Sequence, residues 1–202
     1  MTQNPLLLLL MSAAALYVAK LWWDDRRLSL AGTPHPGALP GATPAPRRAL
    51  VIAVMGSLVL LVGESWGEYQ LGIVGEQSNL TILFALYTLG APIIEETIFR
   101  GYLVINGRGP ALRWVGVVVA SAAFALIHPF LWSWEESFTL PLTTKGAFST
   151  LAAFAFSLWL YYVRFAKWNP HHSLLPCVTA HFAKNLGVIG IKAAQGFVVG
   201  WW

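Results

Sequence analysis

Three short clusters of polar residues interrupt the long apolar runs of this 202-residue chain: Glu95, Glu96 and Arg100; His128, with Phe124 four residues before it; and His181, Lys184 and Asn185. An ionisable group at the centre of a membrane helix costs about 2.5–3.5 kcal/mol on insertion scales, so groups kept there are functional candidates by default. A carboxylate, two imidazoles and an amide are the parts for activating a water and stabilising an oxyanion. They are equally plausible ligands for a divalent metal. No serine or cysteine stands beside a histidine and an acid as a nucleophile would, which makes hydrolysis by activated water the economical chemistry.

Spacing adds detail. Glu96 and Arg100 are four apart, on one helical face and in the favourable order for an ion pair. They read either as a structural staple between helices or as a substrate-positioning pair. Glu95 points about 100° away and has no partner in its own helix, which favours function for it. Pro92 removes a backbone donor and predicts a kink or restart, placing both glutamates in the first turn of a new segment, where a helix dipole favours carboxylates. His128, followed directly by Pro129, is by itself a weak signal. His181 and Asn185 project side by side; they can bind a metal, donate to an oxyanion or hydrogen-bond across helices. Cys177, four before His181, reads as small packing, and Lys20 and Lys192 as cations that snorkel to an interface.

The elements that must hold these groups are membrane helices. With 13 Lys+Arg and 9 Asp+Glu the chain is 11% charged, against about 25% for an average soluble domain. It is 56% hydrophobic, with mean hydropathy +0.60. A soluble globule cannot solvate such a surface, and a disordered chain is polar and poor in aromatics. One cysteine excludes a disulfide framework. At roughly 20 residues per crossing there is room for six or seven helices. Six apolar stretches predict an all-α polytopic bundle: Pro5–Trp23, Ala49–Gly63, Leu80–Ile105, Leu112–Trp132, Ala147–Val163 and Ser173–Val199. Met1 to Ala19 lacks a basic leader and reads as an uncleaved first helix. The Pro/Gly-rich Asp24–Arg48 reads as an extended cytosolic linker, so 1–48 form an N-terminal helix with its linker and 49–202 the embedded core.

Charge sorts by loop. Arg26, Arg27, Arg47 and Arg48 fall in the first, Arg108 and Arg113 in the third, Arg164 and Lys167 in the fifth. The second holds Glu64, Glu68 and Glu76, and the fourth Glu135, Glu136 and Lys145. The positive-inside rule then predicts loops one, three and five in the cytosol and both termini outside. Trp22, Trp23, Trp66, Trp114, Trp132, Trp134, Trp168, Trp201 and Trp202 fall near proposed helix ends, as an interfacial belt requires. The net charge of +4 is topology information of this kind and does not point to nucleic acid.

At the three clusters the sequence resembles the CPBP family, the CAAX-protease and bacteriocin-processing membrane proteins also called Abi proteins. EExxxR is Glu95 to Arg100, continued by Gly101-Tyr102-Leu103; FxxxH is Phe124 to His128; HxxxN is His181 to Asn185, preceded by Ser173-Leu174-Leu175-Pro176. The resemblance covers about Leu80–Val199. It implies a four-helix catalytic core and an intramembrane endopeptidase. Glu95 and His128 would activate a water, and His181 and Asn185 would stabilise the oxyanion. Glu96 and Arg100 would position substrate or hold helices, with Phe124 beside them. Lys184 is a cation that could steer a substrate carboxylate. A metal-free glutamate mechanism is the preferred reading; a zinc, if present, would draw on Glu95, His128 and His181. The implied setting is a prokaryotic cytoplasmic membrane, with a peptide or membrane-protein substrate, prenylated or a leader peptide. The alternatives are an idle scaffold or immunity protein of the same fold, and a small proton-coupled transporter.

Overall fold

The computed structural model describes residues 4–134 and 137–202, so Glu135 and Glu136, counted above in the fourth loop, lie outside the described residues, as does Met1 in the first apolar run. Six helices make up nearly all of it: α1 (Pro5–Leu30), α2 (Arg47–Gln70), α3 (Ile82–Glu96), α4 (Pro110–Ile127), α5 (Thr144–Phe165) and α6 (Leu175–Ala194). A π-helical segment, Thr97–Tyr102, continues α3. The strands among the described residues are β1 (Ser133–Trp134) and β2 (Phe138–Thr139), an antiparallel pair with Ser133 opposite Thr139. The chain is an all-helical bundle in which α1, α2, α4, α5 and α3 taken together with its π continuation (Ile82–Tyr102) are long and apolar enough to cross a membrane. The sequence predicts six such crossings. α6 is long enough, but His181, Lys184, Asn185 and Lys192 dilute its hydropathy.

Helix starts follow local chemistry. The Asn4 side chain accepts from Leu6 and Leu7 N–H with Pro5 at the first helical position, and Thr81 and Thr143 cap α3 and α5 through their hydroxyls. α2 packs along α6, α1 along α3 and α4 along α5, with α3 and α5 also touching α6. Helix association in lipid rests on close packing of small residues and on polar contacts. Ala49, Ala53 and Ser57 of α2 are fully buried, and the Ser57 hydroxyl donates to Ala180 O at 3.0 Å. A Cβ at Gly56 would lie 2.0 Å from the Trp159 ring, so α2 and α5 meet there only because residue 56 has no side chain.

Several boundaries differ from the sequence expectation. α2 runs to Gln70 rather than Gly63, so Glu64 and Glu68 belong to the helix and not to a loop. Their side chains face the interior, where lysines receive them. α4 stops at Ile127 because Pro129 holds His128 extended, with ψ 128°. α6 ends at Ala194, and the following tail turns back along α3: Leu80 N–H donates to Phe197 O at 2.8 Å, and Ile82 and Leu83 N–H donate to Gly200 O and Trp201 O. These bonds satisfy donors that a helix N-terminus leaves free. Trp22, near the end of α1, is buried against the bundle and donates to Pro40 O.

Residues 31–46 are bonded to the bundle. Leu174 N–H donates to Gly41 O at 3.0 Å and the Ser173 hydroxyl to Thr43 O at 2.8 Å. Gly41 has φ +64°, and a Cβ there would meet Leu174 N at 2.9 Å. This segment meets the π segment through Pro40 and Gly101 and the α5–α6 turn through Gly41 and Leu174, and the 71–81 loop meets the C-terminal tail through Leu80 and Phe197.

Candidate active site

Pro92 has no N–H, so the Thr88 carbonyl four residues earlier has no partner within α3. α6 supplies one: Asn185 Nδ2 donates to Thr88 O at 2.8 Å. The expected restart at Pro92 is therefore absent, and α3 continues unbroken to Glu96. The irregularity emerges one turn later, where the π segment is closed by Leu103 N–H donating to Ile98 O at 2.9 Å. Glu95 and Glu96 thus end a helix rather than begin one. Single π turns inside helices recur at functional sites.

Glu96 and Arg100 form the predicted ion pair, 3.2 Å between Nη1 and Oε1, with both side chains 0% exposed. Arg100 Nη2 donates to Ser157 Oγ at 2.7 Å and to Ser157 O at 3.2 Å. Phe124 and Tyr161 lie against the guanidinium, with ring centroids 4.6 and 5.0 Å from Cζ. Such a charge is tolerable in this interior because it is paired, hydrogen-bonded and flanked by π faces. Glu96 Oε1 also accepts from His181 Nδ1 at 2.8 Å.

That bond sets the second histidine. With Nδ1 donating to Glu96, Nε2 of His181 is turned to Glu95 Oε2, 3.8 Å away and just beyond direct hydrogen-bond length. Glu95 Oε2 is buried and has no hydrogen-bond partner. His128 is oriented in the same manner: its Nδ1 lies 2.6 Å from Phe124 O, which can only accept, so Nδ1 carries the proton of that bond and Nε2 is left without a partner from it. The Phe124 ring lies between the imidazoles, with centroids 4.8 Å from His128 and 6.1 Å from His181.

A cavity of about 390 Å³ is lined by His128, His181 and Asn185, and then by Lys184, Glu64, Glu68, Lys145 and Lys192 toward the 71–81 loop. Glu95 does not line it; its side chain, 25% exposed, reaches the group through His181. Among the described residues no hydrogen bond or ion pair joins Glu95 to His128. Nor do three or more His, Cys, Asp or Glu side chains converge as a metal site among them, so Glu95, His128 and His181 do not form a ligand set in this arrangement. Lys184, unassigned by its motif, pairs with Glu64 Oε2 at 2.7 Å and lies over the Phe156 ring at 4.9 Å. Lys145 pairs with Glu68, which also accepts from Gln77 at 2.7 Å.

Glu64, Glu68, Lys145, Ser157 and Tyr161 escape sequence reasoning. The available signal is Leu61, Glu64, Ser65 and Glu68 at helical spacing, which continues the inward face of α2 past its last apolar turn.

A family model described as type II CAAX prenyl endopeptidase Rce1-like matches residues 77–187, a little over half of the chain and a span containing every motif residue above. No curated protein and no solved structure matches the chain.

Proposed function

The chain belongs to the type II CAAX prenyl endopeptidase Rce1-like family, and from that premise we propose that it hydrolyses a peptide bond within the membrane, using a water activated by Glu95 with His128. The family is one of membrane proteases; the roles of the individual residues are our reading. The observation that carries it is the double setting of His181, with Nδ1 on Glu96 at 2.8 Å and Nε2 on Glu95 at 3.8 Å.

Glu95 has the unpartnered oxygen that a general base needs. Phe99 and Phe124 meet edge-to-face at 5.1 Å and register α3 against α4. Consecutive crossings run in opposite directions. The four residues back from Phe99 to Glu95 and the four on from Phe124 to His128 therefore lead the same way, each by about 6 Å. This supports Glu95 and His128 acting on one water. In the reaction a water proton passes to the Glu95 carboxylate, the hydroxide oxygen bonds to the scissile carbonyl carbon, and the C–N bond breaks as the proton goes to the leaving amine. With Nδ1 committed to Glu96, His181 donates to an oxyanion only when Nε2 also carries a proton. When Glu95 takes the water proton its charge is lost, and the Nε2–H is released toward the oxyanion. Asn185 contributes the amide N–H not used by Thr88.

The test is cleavage of a peptide library in detergent by wild type, Glu95→Gln, His128→Ala and His181→Ala, with and without chelator. Cleavage by wild type, unaffected by chelator and lost in all three variants, is expected, with each loss about 10²–10⁴-fold. Undiminished activity of Glu95→Gln overturns the mechanism. Activity removed by chelator and restored by zinc overturns its metal-free form.

A further inference from the structure

Arg100 stands in a stretch of backbone that cannot satisfy itself. In an α-helix the N–H groups of residues 103 and 104 would serve the carbonyls of Phe99 and Arg100. Here Leu103 N–H donates to Ile98 O across the π turn and Val104 N–H to Tyr102 O, both at 2.9 Å. Two carbonyls thereby lose their helical donors, and acceptors stranded away from water are costly.

α5 supplies the replacements. The Tyr161 hydroxyl donates to Phe99 O at 2.6 Å, and Arg164 Nε donates to Arg100 O at 3.2 Å. One turn before Tyr161, Ser157 Oγ and Ser157 O both accept from Arg100 Nη2. Ser157, Tyr161 and Arg164 follow one another at steps of four and three residues, so they project from a single face of α5. All three are buried. Polar groups on a buried face of a membrane helix are costly unless matched, and each of these is matched to the same π segment. None of the three lines the cavity.

We propose that this face of α5 is a positioning device for the catalytic site: Ser157, Tyr161 and Arg164 hold the π turn and the Arg100 guanidinium, and through the Arg100–Glu96 pair they set the imidazole of His181. The relay is short. Arg100 Nη1 reaches Glu96 Oε1 at 3.2 Å, the same oxygen accepts from His181 Nδ1 at 2.8 Å, and His181 Nε2 faces Glu95. The other oxygen of Glu96, Oε2, is buried with no hydrogen-bond partner. Among the described residues, Arg100 and His181 are therefore the groups that orient this carboxylate. If Arg100 is released, the carboxylate can turn, and the imidazole bonded to it turns as well. The effect on catalysis rests on the peptidase reading; the setting of His181 does not.

The experiment compares Ser157→Ala, Tyr161→Phe and Arg164→Gln with wild type, as the full chain in detergent. Three quantities are measured: thermal unfolding, kcat and KM for a peptide that wild type cleaves, and nitrogen NMR of selectively labelled histidines. Each variant is expected to stay folded and to lose kcat about 10–100-fold, the cost of a small misplacement at the reacting centre. KM is expected to hold, because none of the three side chains meets substrate. The His181 signal, assigned by its absence in His181→Gln, is expected to move in Ser157→Ala and Tyr161→Phe while those of the exposed His35 and His171 stay in place. An unmoved His181 signal overturns the relay, whether or not any peptide is cleaved. A raised KM at unchanged kcat, or activity lost only in proportion to a fall in unfolding temperature, assigns these side chains to packing and overturns the positioning role. An unfolded Arg164→Gln removes Arg164 from the device and leaves the other two to decide it. A wild type that cleaves no peptide, with the His181 signal moving as expected, overturns the peptidase reading and the catalytic effect, while the setting of His181 stands.

Discussion

The Asn185 amide of α6 donates at 2.8 Å to the Thr88 carbonyl of α3, the carbonyl that Pro92 leaves without an intrahelical partner. A residue of the HxxxN motif therefore mends a defect made by Pro92, three residues before the EExxxR motif. The two helices that carry these motifs are joined at the point where one of them is weakest.

This bond makes Asn185 structural as well as a candidate donor. Asn185→Ala is expected to destabilise the protein by about 1–3 kcal/mol, the cost of stranding a buried acceptor. In a Pro92→Ala background residue 92 can donate to Thr88 O itself, and the same substitution is expected to cost less. Unfolding in detergent of the two single variants and the double variant measures this coupling. An unchanged cost in the Pro92→Ala background would show that the Thr88 carbonyl is not what Asn185 serves.

Adjacent glutamates are expected to separate stability from activity. Glu96→Ala leaves the Arg100 guanidinium, 0% exposed, without its counter-charge, which costs about 3–5 kcal/mol. Glu95 makes no hydrogen bond through its buried oxygen, and Glu95→Gln is expected to change stability by about 0.5 kcal/mol or less while abolishing cleavage. Thermal unfolding and peptide cleavage on the same preparations decide the matter. A Glu95→Gln variant as unstable as Glu96→Ala would remove Glu95 from its catalytic role.

The Lys184–Glu64 pair stands in the cavity three residues from His181 and is only slightly exposed. Lys184→Ala and Glu64→Ala are expected to be non-additive in stability, with a coupling of about 0.5–3 kcal/mol. If Lys184 also meets a substrate carboxylate, Lys184→Ala raises KM more than it lowers kcat; an unchanged KM assigns the lysine to structure alone.

Much of the site is legible in the sequence because lipid makes polarity costly. Glu95, His128 and His181 stand out against apolar runs in a chain that is 11% charged, with no neighbour needed to mark them. The Glu96–Arg100 pair is equally local, since four residues are one helical turn and both groups belong to one helix. Glu64 and Glu68 escape because the apolar run that defines α2 from sequence ends at Gly63, although the inward face of the helix does not.

What the sequence by itself determined is therefore the class of protein, its helices to within a turn or two, and the residue types available for chemistry. The tertiary structure alone decided how they are wired. His181 meets Glu96 across 85 residues of chain, Asn185 meets Thr88 across 97, and Arg100 meets Ser157 across 57. Each meeting depends on how one helix is rotated and shifted against another. That register is set by the packing of small residues such as Gly56 and the buried Ser57 and by the π turn after Glu96, and no spacing within a single helix encodes it.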